Sequence, residues 1–339
     1  MSDCCVPKES VCSCCNNQAI IPIIPTKLAF TDTLGIFKAR WGIGRMNYKV
    51  DPGLYAVGAP NEESPVLVSA NYKLTFDVLR KELSGIDCWL EILDTRGINV
   101  WCAAGKGTFG TEELVNRLAE TRLTEKVSHK TLILPLLGAS GINANEVKRR
   151  TGFSVIYGPV RARDIKAFLE SGYKATEEMR TVKFSLVDRL VLTPMEIVPA
   201  VRKSLYVFGV LFLLNLVVVK PFGPSDFIAY SGAILMGAFS TPLLLPYIPG
   251  RAFSFKGGLL GLIWAAFAVW LLGFDLLATI GYVLILPAIS AYLAMNFTGS
   301  STYTSPSGVL KEMRIALPIM ISATVLGVVL LLLNHVLWL

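Results

Sequence analysis

Residues 204–339 constrain this chain more than any other stretch, because they are nearly free of charge. They divide into five apolar runs: 204–219, 227–248, 257–274, 276–295 and 315–339. Each approaches the roughly 20 residues that a helix needs to cross a bilayer. The shortest run nearly suffices once it is extended from Leu205 to Phe222. An all-α transmembrane domain of five helices is therefore expected over 204–339. Five spans put the two ends on opposite sides. Arg202, Lys203, Arg251, Lys256, Lys311 and Arg314 fall on one side, and Lys220 falls on the other. The positive-inside bias then places the part before residue 204 in the cytoplasm and Leu339 outside a cytoplasmic (inner) membrane. Asp226, Asp275 and His335 lie near outer span ends, where interface residues are expected.

Composition agrees with this division. Hydrophobic residues make up 53% of the 339, and mean hydropathy is +0.54. That is too apolar for an ordinary soluble protein, and the excess lies after residue 204. The net charge of +7 comes from basic residues mixed with acids. No basic patch interleaved with aromatics appears, so nucleic acid is not an expected partner. The first 20 residues lack a basic segment followed by an apolar core, so no secretory leader is expected. Seven cysteines in a reducing compartment argue against a disulfide framework. Five of them, Cys4, Cys5, Cys12, Cys14 and Cys15, crowd the N-terminus as C-C-x6-C-x-C-C. That spacing is neither a ferredoxin run nor a zinc finger. It suits either a plain tail or the capture of a soft metal ion by thiolates. Residues 19–60 carry scattered Pro and Gly, so 1–60 is taken as tail and lead-in.

Residues 61–200 alternate strand and helix signals. Strands are expected at 65–70, 88–93, 131–137 and 154–157, with a further apolar run at 98–103. Helices are expected around Leu74, Val78, Leu79 and Leu83, and at 111–120, 144–150 and 162–169. Such alternation indicates a mostly parallel, doubly wound α/β sheet. Ligands bind these sheets beyond the strand C-termini. Cys88 sits within a strand run and is expected in the core.

The stretch 97–110, G-I-N-V-W-C-A-A-G-K-G-T-F-G, carries the chemistry. It sets one thiol, Cys102, among small residues, close to a helix N-terminus and four residues before Lys106. A helix N-terminus is a place of positive potential. Ala103, Ala104 and Gly105 would let something flat and wide approach the sulfur. Gly105, Gly107 and Gly110 also fit the dinucleotide pattern G-x-G-x-x-G. Against that, the acid expected about 20 residues on should end the next strand, whereas Glu125 precedes 131–137. A P-loop fails outright, because Gly107 follows Lys106 and position 100 is Val.

The string Asn99-Val100-Trp101-Cys102-Ala103-Ala104-Gly105-Lys106 closely resembles N-(V/I)-W-C-A-(A/S)-G-K, the cap-helix motif of the HgcA-type mercury-methylating corrinoid proteins. Asn71-Tyr-Lys-Leu-Thr-Phe-Asp77 also resembles a relative, the corrinoid-binding subunit of the acetyl-CoA-pathway corrinoid iron–sulfur protein. The order of parts is similar over roughly 60–339. The resemblance implies an α/β Rossmann-like corrinoid-binding domain followed by the five transmembrane helices. It implies that Cys102 is the lower axial ligand of the corrinoid cobalt and that 99–106 cap the corrin face. The histidine-on signature D-x-H-x-x-G is absent. Only His129 and His335 exist, and position 127 is Val. His129 is expected at the surface before a strand. Trp101 could pack on the ring edge or fill the core. Asn99 could hold the loop or face the corrin, and Lys106 could offset the sulfur's charge or lie in solvent.

The chemistry implied by the resemblance is methyl transfer from methyl-cobalt(III) to inorganic mercury(II), giving methylmercury. A thiolate trans to the methyl pushes electron density onto the metal, as axial cysteine does in some haem enzymes. That favours departure of methyl to an electrophile, either carbanion-like or as a radical. The implied partners are a small ferredoxin with two [4Fe–4S] clusters, as electron donor, and a methyl donor from the methyltetrahydrofolate pathway. Two other functions remain open on sequence: a corrinoid methyl carrier for another acceptor, and a membrane-anchored nucleotide-dependent oxidoreductase.

Overall fold

A computed structural model describes residues 21–219, 221–301 and 303–337. The five N-terminal cysteines and Lys220 lie outside these residues. In chain order the elements are β1 (Ile23–Ile24), α1 (Phe30–Arg40), β2 (Gly53–Val57), β3 (Val66–Ala70), α2 (Lys73–Glu82), β4 (Cys88–Leu93), α3 (Val100–Lys106), α4 (Thr111–Glu120), β5 (Thr131–Pro135), α5 (Ala144–Thr151), β6 (Ser154–Gly158), α6 (Ile165–Glu170) and α7 (Glu177–Arg180). There follow α8 (Leu186–Leu192), α9 (Pro194–Leu214), α10 (Pro224–Leu235), α11 (Thr241–Leu244), α12 (Phe253–Leu272), α13 (Leu276–Asn296) and α14 (Pro306–Leu337). They form two units. One comprises residues up to Ala29 together with Tyr48–Arg180, the other Phe30–Asn47 together with Thr181–Leu339.

The first unit is built on a six-stranded mixed sheet of order β1-β2-β4-β3-β5-β6. Strands β4, β3, β5 and β6 are parallel, while β2 runs antiparallel to β4. Every residue of β3 is buried, as befits a central strand covered on both faces. Side chains alternate with period two. Val66, Val68 and Ala70 join Leu132, Leu134 and helices α3, α4 and α5 on one face. Leu67, Leu90, Ile92 and Ile133 join α2 and α6 on the other.

Several expectations need correction. Strands β1 and β2 come from the stretch taken as lead-in; β1 is a two-residue edge strand, and β2 lies between it and β4. The run 98–103 is not a strand: α3 occupies most of it. The strand expected over 131–137 stops at Pro135 and gives way to a 3-10 segment, Leu136–Gly141. In α2 the buried face carries Phe76, Asp77, Leu79 and Arg80, and Val78 is turned out. A polar network causes this rotation. Buried Asp77 pairs with Lys73 at 2.7 Å and Arg80 at 2.8 Å, and Arg80 Nη1 donates to the Pro25 carbonyl at 2.6 Å. Cys88 is fully buried, and burial pushes its thiol up to about 12. It is an inert core residue, as expected.

Glu91 is a charge-bearing residue in the middle of the sheet, with no exposure. Burial pushes its carboxyl up to about 8. The local bonding agrees with a protonated acid. Thr121 Oγ1 lies 3.0 Å from Glu91 Oε2 and 2.9 Å from the Arg117 carbonyl oxygen. A hydroxyl has one proton to give. A neutral Glu91 donates to Thr121 and leaves that proton for the carbonyl. Because the carboxyl is raised from 4.5, the folded form holds a proton that the unfolded chain releases. Its stabilisation is full below about pH 4.5 and is lost as pH rises through about 8, a difference on the order of 5 kcal/mol. The melting temperature of this unit should therefore fall between pH 5.5 and 8.5. Glu91→Gln should flatten that fall; an unchanged slope in the variant would assign it to other groups.

The second unit contains five helical segments long and apolar enough to cross a membrane: Leu186–Leu214, Pro224–Leu244, Phe253–Leu272, Leu276–Ser300 and Ser307–Val336. The first begins well before residue 204 and ends at Leu214, because α8 and α9 run on with only a break at Thr193. Close contact between α12 and α13 depends on glycine. A Cβ at Gly257 would lie 2.4 Å from Ala294 Cβ, and one at Gly261 would lie 2.7 Å from Ser290 Cβ. Small residues at such spacing let membrane helices approach backbone to backbone.

Candidate functional site

Four parallel strands end at one edge of the sheet, at Ala70, Leu93, Pro135 and Gly158. The connections after β3, β4 and β5 build the site there.

Asn71, the residue after β3, is 1% exposed and organises the connection after β4. Its Oδ1 accepts from Thr95 N at 3.1 Å and Gly97 N at 3.0 Å and lies 2.9 Å from Thr95 Oγ1, whose one proton goes to the closer Ile98 carbonyl. Its Nδ2 donates to Asp94 Oδ1 at 2.9 Å. Asp94 Oδ1 also accepts from Arg96 N at 2.9 Å, and Glu113 Oε1 of α4 accepts from Asp94 N at 2.8 Å. These bonds hold Arg96 and Gly97 at φ of 58° and 71°. That region is costly for a residue with a side chain, and strain of this kind clusters at functional sites. The turn delivers Asn99 to the start of α3.

Asn99 is the N-cap: its Oδ1 accepts from Cys102 N at 2.9 Å. This settles its role as holding the helix start. Cys102 is therefore in the first turn of α3 itself, rather than ahead of Thr111–Glu120. Gly107 ends the helix at φ 78°, a left-handed cap suited to glycine. Three residues later Gly110 is the N-cap of α4. Hence Gly105 lies inside one helix, Gly107 ends it and Gly110 starts the next. The dinucleotide arrangement, a strand turning straight into a helix on these glycines, is not what the chain forms.

The two faces of α3 differ. Val100, Ala103 and Ala104 point inward, at 6%, 0% and 6% exposure. They pack with Phe109 against Leu136–Gly141. The fit is close on both sides. A Cβ at Gly141 would lie 2.1 Å from the Phe109 carbonyl oxygen and 3.1 Å from Ala104 Cα. The small size of Ala103 and Ala104 therefore serves the seating of the helix, not the space beside the sulfur as the sequence suggested. The outer face carries Trp101, 42% exposed, half-buried Cys102, and exposed Gly105 and Lys106. Among the described residues outside its own helical turn, nothing lies within 4 Å of a Cβ built on Gly105. Trp101 and Gly105, four apart, and Cys102 and Gly105, three apart, share this open face. Lys106 also lies out in solvent. Of the eight residues singled out by sequence, five thus hold or seat the helix or sit at its end, while Trp101, Cys102 and Gly105 form the open face.

Asn71 and Asp94 were not assigned to the site from sequence. The one local signal was the Asp94-Thr-Arg-Gly97 turn composition; Asn71's contact with it crosses more than twenty residues. His129 is half-buried rather than at the surface, with Nε2 2.9 Å from the Ser64 carbonyl oxygen. Among the described residues no three His, Cys, Asp or Glu side chains gather to hold a metal ion. Cys102 offers a single soft donor, which suits a metal that brings its other ligands with it.

Residues 38–169 match the family described as CO dehydrogenase/acetyl-CoA synthase delta subunit. The chain is similar to acetyl-CoA decarbonylase/synthase complex subunit gamma from Methanopyrus kandleri, 36% identical over 124 residues, which are 36% of this chain and 26% of that one. The protein of the same name from Methanocaldococcus jannaschii is 33% identical over 126 residues, 37% of this chain and 25% of the other. That from Archaeoglobus fulgidus is 33% identical over 135 residues, 39% and 28%. The chain thus spans about a quarter of the length of the curated relatives it matches, and the similarity falls on the unit that carries α3 and Cys102.

Proposed function

We propose that the sheet unit binds a corrinoid on the open face of α3, that Cys102 Sγ is the axial ligand of its cobalt, and that the protein transfers a methyl group to mercury(II). One observation carries this reading most: a lone half-buried thiol in the first turn of a capped helix, on a face kept open by Gly105. The resemblance of 99–106 to the mercury-methylating proteins and the similarity to acetyl-CoA decarbonylase/synthase subunits support it. The residues present fit a wide planar group, because among the described residues nothing beyond its own helical turn stands over Gly105, and Trp101 offers a ring at its border.

A bound corrinoid supplies a methyl group on cobalt, for transfer with its bonding electrons to an electrophile. The chain's own residues do the rest. Asn99 fixes the first turn, and with it the direction of Cys102. Val100, Ala103 and Ala104 seat the helix so that the sulfur's height above the sheet edge is constant. Cys102 Sγ would be the soft donor that holds the cobalt and raises its electron density. Turnover takes two electrons, for which a small ferredoxin with two [4Fe–4S] clusters is the proposed source, and a new methyl from the methyltetrahydrofolate pathway. The five apolar helices are the proposed anchor in the cytoplasmic membrane, with the sheet unit inside and the C-terminal end outside. The relatives' names favour a second reading, a corrinoid methyl carrier serving another acceptor.

The test is the visible spectrum of the purified chain loaded with cobalamin, followed by a single-turnover assay with mercury(II). Corrin bands with a sulfur-ligated signature and stoichiometric methylmercury are expected. Absence of any corrinoid binding overturns the proposal. Binding and methyl loading without methylmercury favours the second reading.

Two substitutions separate seating from binding. Ala104→Leu forces three carbons into the contact with Gly141 and should destabilise the unit by about 1–3 kcal/mol. Gly105→Leu meets open space and a better helix former replaces glycine, so stability should hold or rise by about 0.5–1 kcal/mol. It should nevertheless cut corrinoid occupancy sharply. Thermal melting and cobalt content measured on both variants check this; full occupancy in Gly105→Leu would move the corrin off this face.

A further inference from the structure

Helix α1 precedes most of the sheet in sequence, yet it groups with the apolar helices of the second unit. Its sequence is FTDTLGIFKAR, and Trp41 N continues the helical pattern by donating to the Phe37 carbonyl at 3.1 Å. Phe30, Leu34, Phe37 and Trp41 are spaced by four, three and four. At about 100° per residue they form a single narrow stripe. The stripe faces outward. Phe30 is 80% exposed and Phe37 55%, and the Phe37 and Trp41 rings meet at 5.7 Å. Ala39, on the opposite side, is fully buried. Exposed Ile43 and Met46 continue the apolar surface beyond the helix. Lys38 and Arg40 fall on the two borders of the stripe. The segment is fixed within its unit, since Arg45 Nη1 donates to Met195 Sδ at 3.0 Å.

A second helix of the same unit is polar inside and apolar outside. In α8, Leu186, Val187 and Leu190 are exposed while Arg189 is 3% exposed. Arg189 donates to the carbonyls of Phe184 at 2.9 Å and Leu243 at 3.1 Å. Large apolar side chains outward and an arginine inward suit surroundings less polar than water. Soluble surfaces rarely carry contiguous patches of this kind.

We propose that α1 is an interfacial helix lying in the plane of an acidic phospholipid surface. Phe30, Leu34, Phe37 and Trp41 enter the acyl boundary, and Lys38 and Arg40 reach headgroup phosphates on either side. An apolar stripe of Phe, Leu and Trp bordered by cations is what such helices present to lipid. Long basic side chains bury their stems and keep their charges at the headgroups. Membership in the unit of five apolar helices supplies the bilayer, and the inference rests on reading those helices as spans. Because α1 interrupts the chain between β1 and β2, its docking gives the sheet unit a second covalent tether to the membrane.

The experiment uses the full chain in nanodiscs of mixed phosphatidylglycerol and phosphatidylcholine. The photo-crosslinker p-benzoylphenylalanine replaces, in turn, Phe37, Phe267 of α12 and Glu178 of the sheet unit. After irradiation, intact mass reads phospholipid adducts. Adducts are expected at 37 and 267 and not at 178, with phosphatidylglycerol enriched at 37. Lys38→Glu should reduce that enrichment by about fivefold, since a basic residue at an acidic surface contributes about 1 kcal/mol. Adducts at 267 without adducts at 37 overturn the interfacial helix and leave the spans standing. Adducts at neither position overturn the spans as well. A protein-sized adduct at 37 assigns the stripe to a second copy of the chain, and lipid adducts at 37 without headgroup preference overturn the acidic surface.

Discussion

Cys102→Ala is expected to melt at the wild-type temperature and, on the proposed function, to lose methyl transfer to mercury(II) by more than about 100-fold. The structure separates the two effects. The cap on α3 runs from the Cys102 backbone N to Asn99, so removing the sulfur leaves it intact. Alanine is the best helix former, and the side chain it replaces is only half-buried. What disappears is the soft donor itself. Loss of a group that merely orients a metal ligand commonly costs 10–100-fold, and loss of the ligand should cost more. Cys102→Thr keeps a polar atom at similar reach with far weaker donor power, and at most residual transfer is expected. Cys102→His supplies a nitrogen donor that is neutral and larger than the space a thiol needs. It should pull the spectrum toward a nitrogen-ligated form and still transfer poorly, because it pushes less density toward the methyl. Single-turnover methylmercury yield, the visible spectrum and thermal melting are measured together on each variant. Full cofactor content with wild-type transfer in Cys102→Ala would refute ligation by this residue.

Much of this arrangement was visible in the chain before any coordinates. Strands β3, β4, β5 and β6 are apolar runs of five or six residues between turn signals, and such runs identify themselves when both sheet faces are covered. The five apolar helices are plain because each run holds close to twenty residues almost without charge, the length and composition a span would need. The misses have physical causes. Strand β1 is only two residues long at the sheet edge, and β2, although paired on both sides with Leu54, Ala56 and Val57 buried, lies in a stretch of scattered Gly and Pro that masks its period-two pattern. The helix that the resemblance implied over 99–106 forms as α3, although Val100-Trp101-Cys102 on its own favours a strand locally. Seven residues are also too few for a helical period to assert itself against that preference. Tertiary packing on Gly138 and Gly141 decides the matter, and no local pattern reports it. Once the run is a helix, its phase follows, and Ala103 and Ala104 turn from the presumed cofactor side into the core. Of the two described cysteines, Cys88 is buried, as its strand run suggested, and Cys102 is partly exposed.

Asn71 is the residue whose replacement should do most damage without touching the open face. Its carboxamide bonds three partners, two at Oδ1 and one at Nδ2. At 1% exposure, no water can take their place. Asn71→Ala leaves the Thr95 and Gly97 amides without their acceptor in a dry setting, and each orphaned group costs about 1–3 kcal/mol. A total loss of roughly 3 kcal/mol or more is expected, read as a lower melting temperature of the sheet unit. The functional loss should exceed what instability alone produces. Arg96 and Gly97 keep their left-handed backbone only while Asn71 and Asp94 hold the turn, and Thr95 Oγ1 donates onward to the Ile98 carbonyl at 2.6 Å. A relaxed turn moves Asn99, and with it the first turn that aims Cys102. Transfer should therefore fall by about 10–100-fold even at temperatures where the variant is fully folded. Asn71→Asp tests which half of the amide matters. It retains the acceptor for Thr95 and Gly97 but sets a second carboxylate against Asp94, whose Oδ1 accepts from Nδ2 at 2.9 Å in the native chain. It should recover part of the loss at acidic pH, where one carboxyl of the pair holds a proton and donates as the amide did. If Asn71→Ala retains both its melting temperature and its transfer rate, the turn is held by the Asp94–Glu113 link alone, and Asn71 has no part in aiming the thiol.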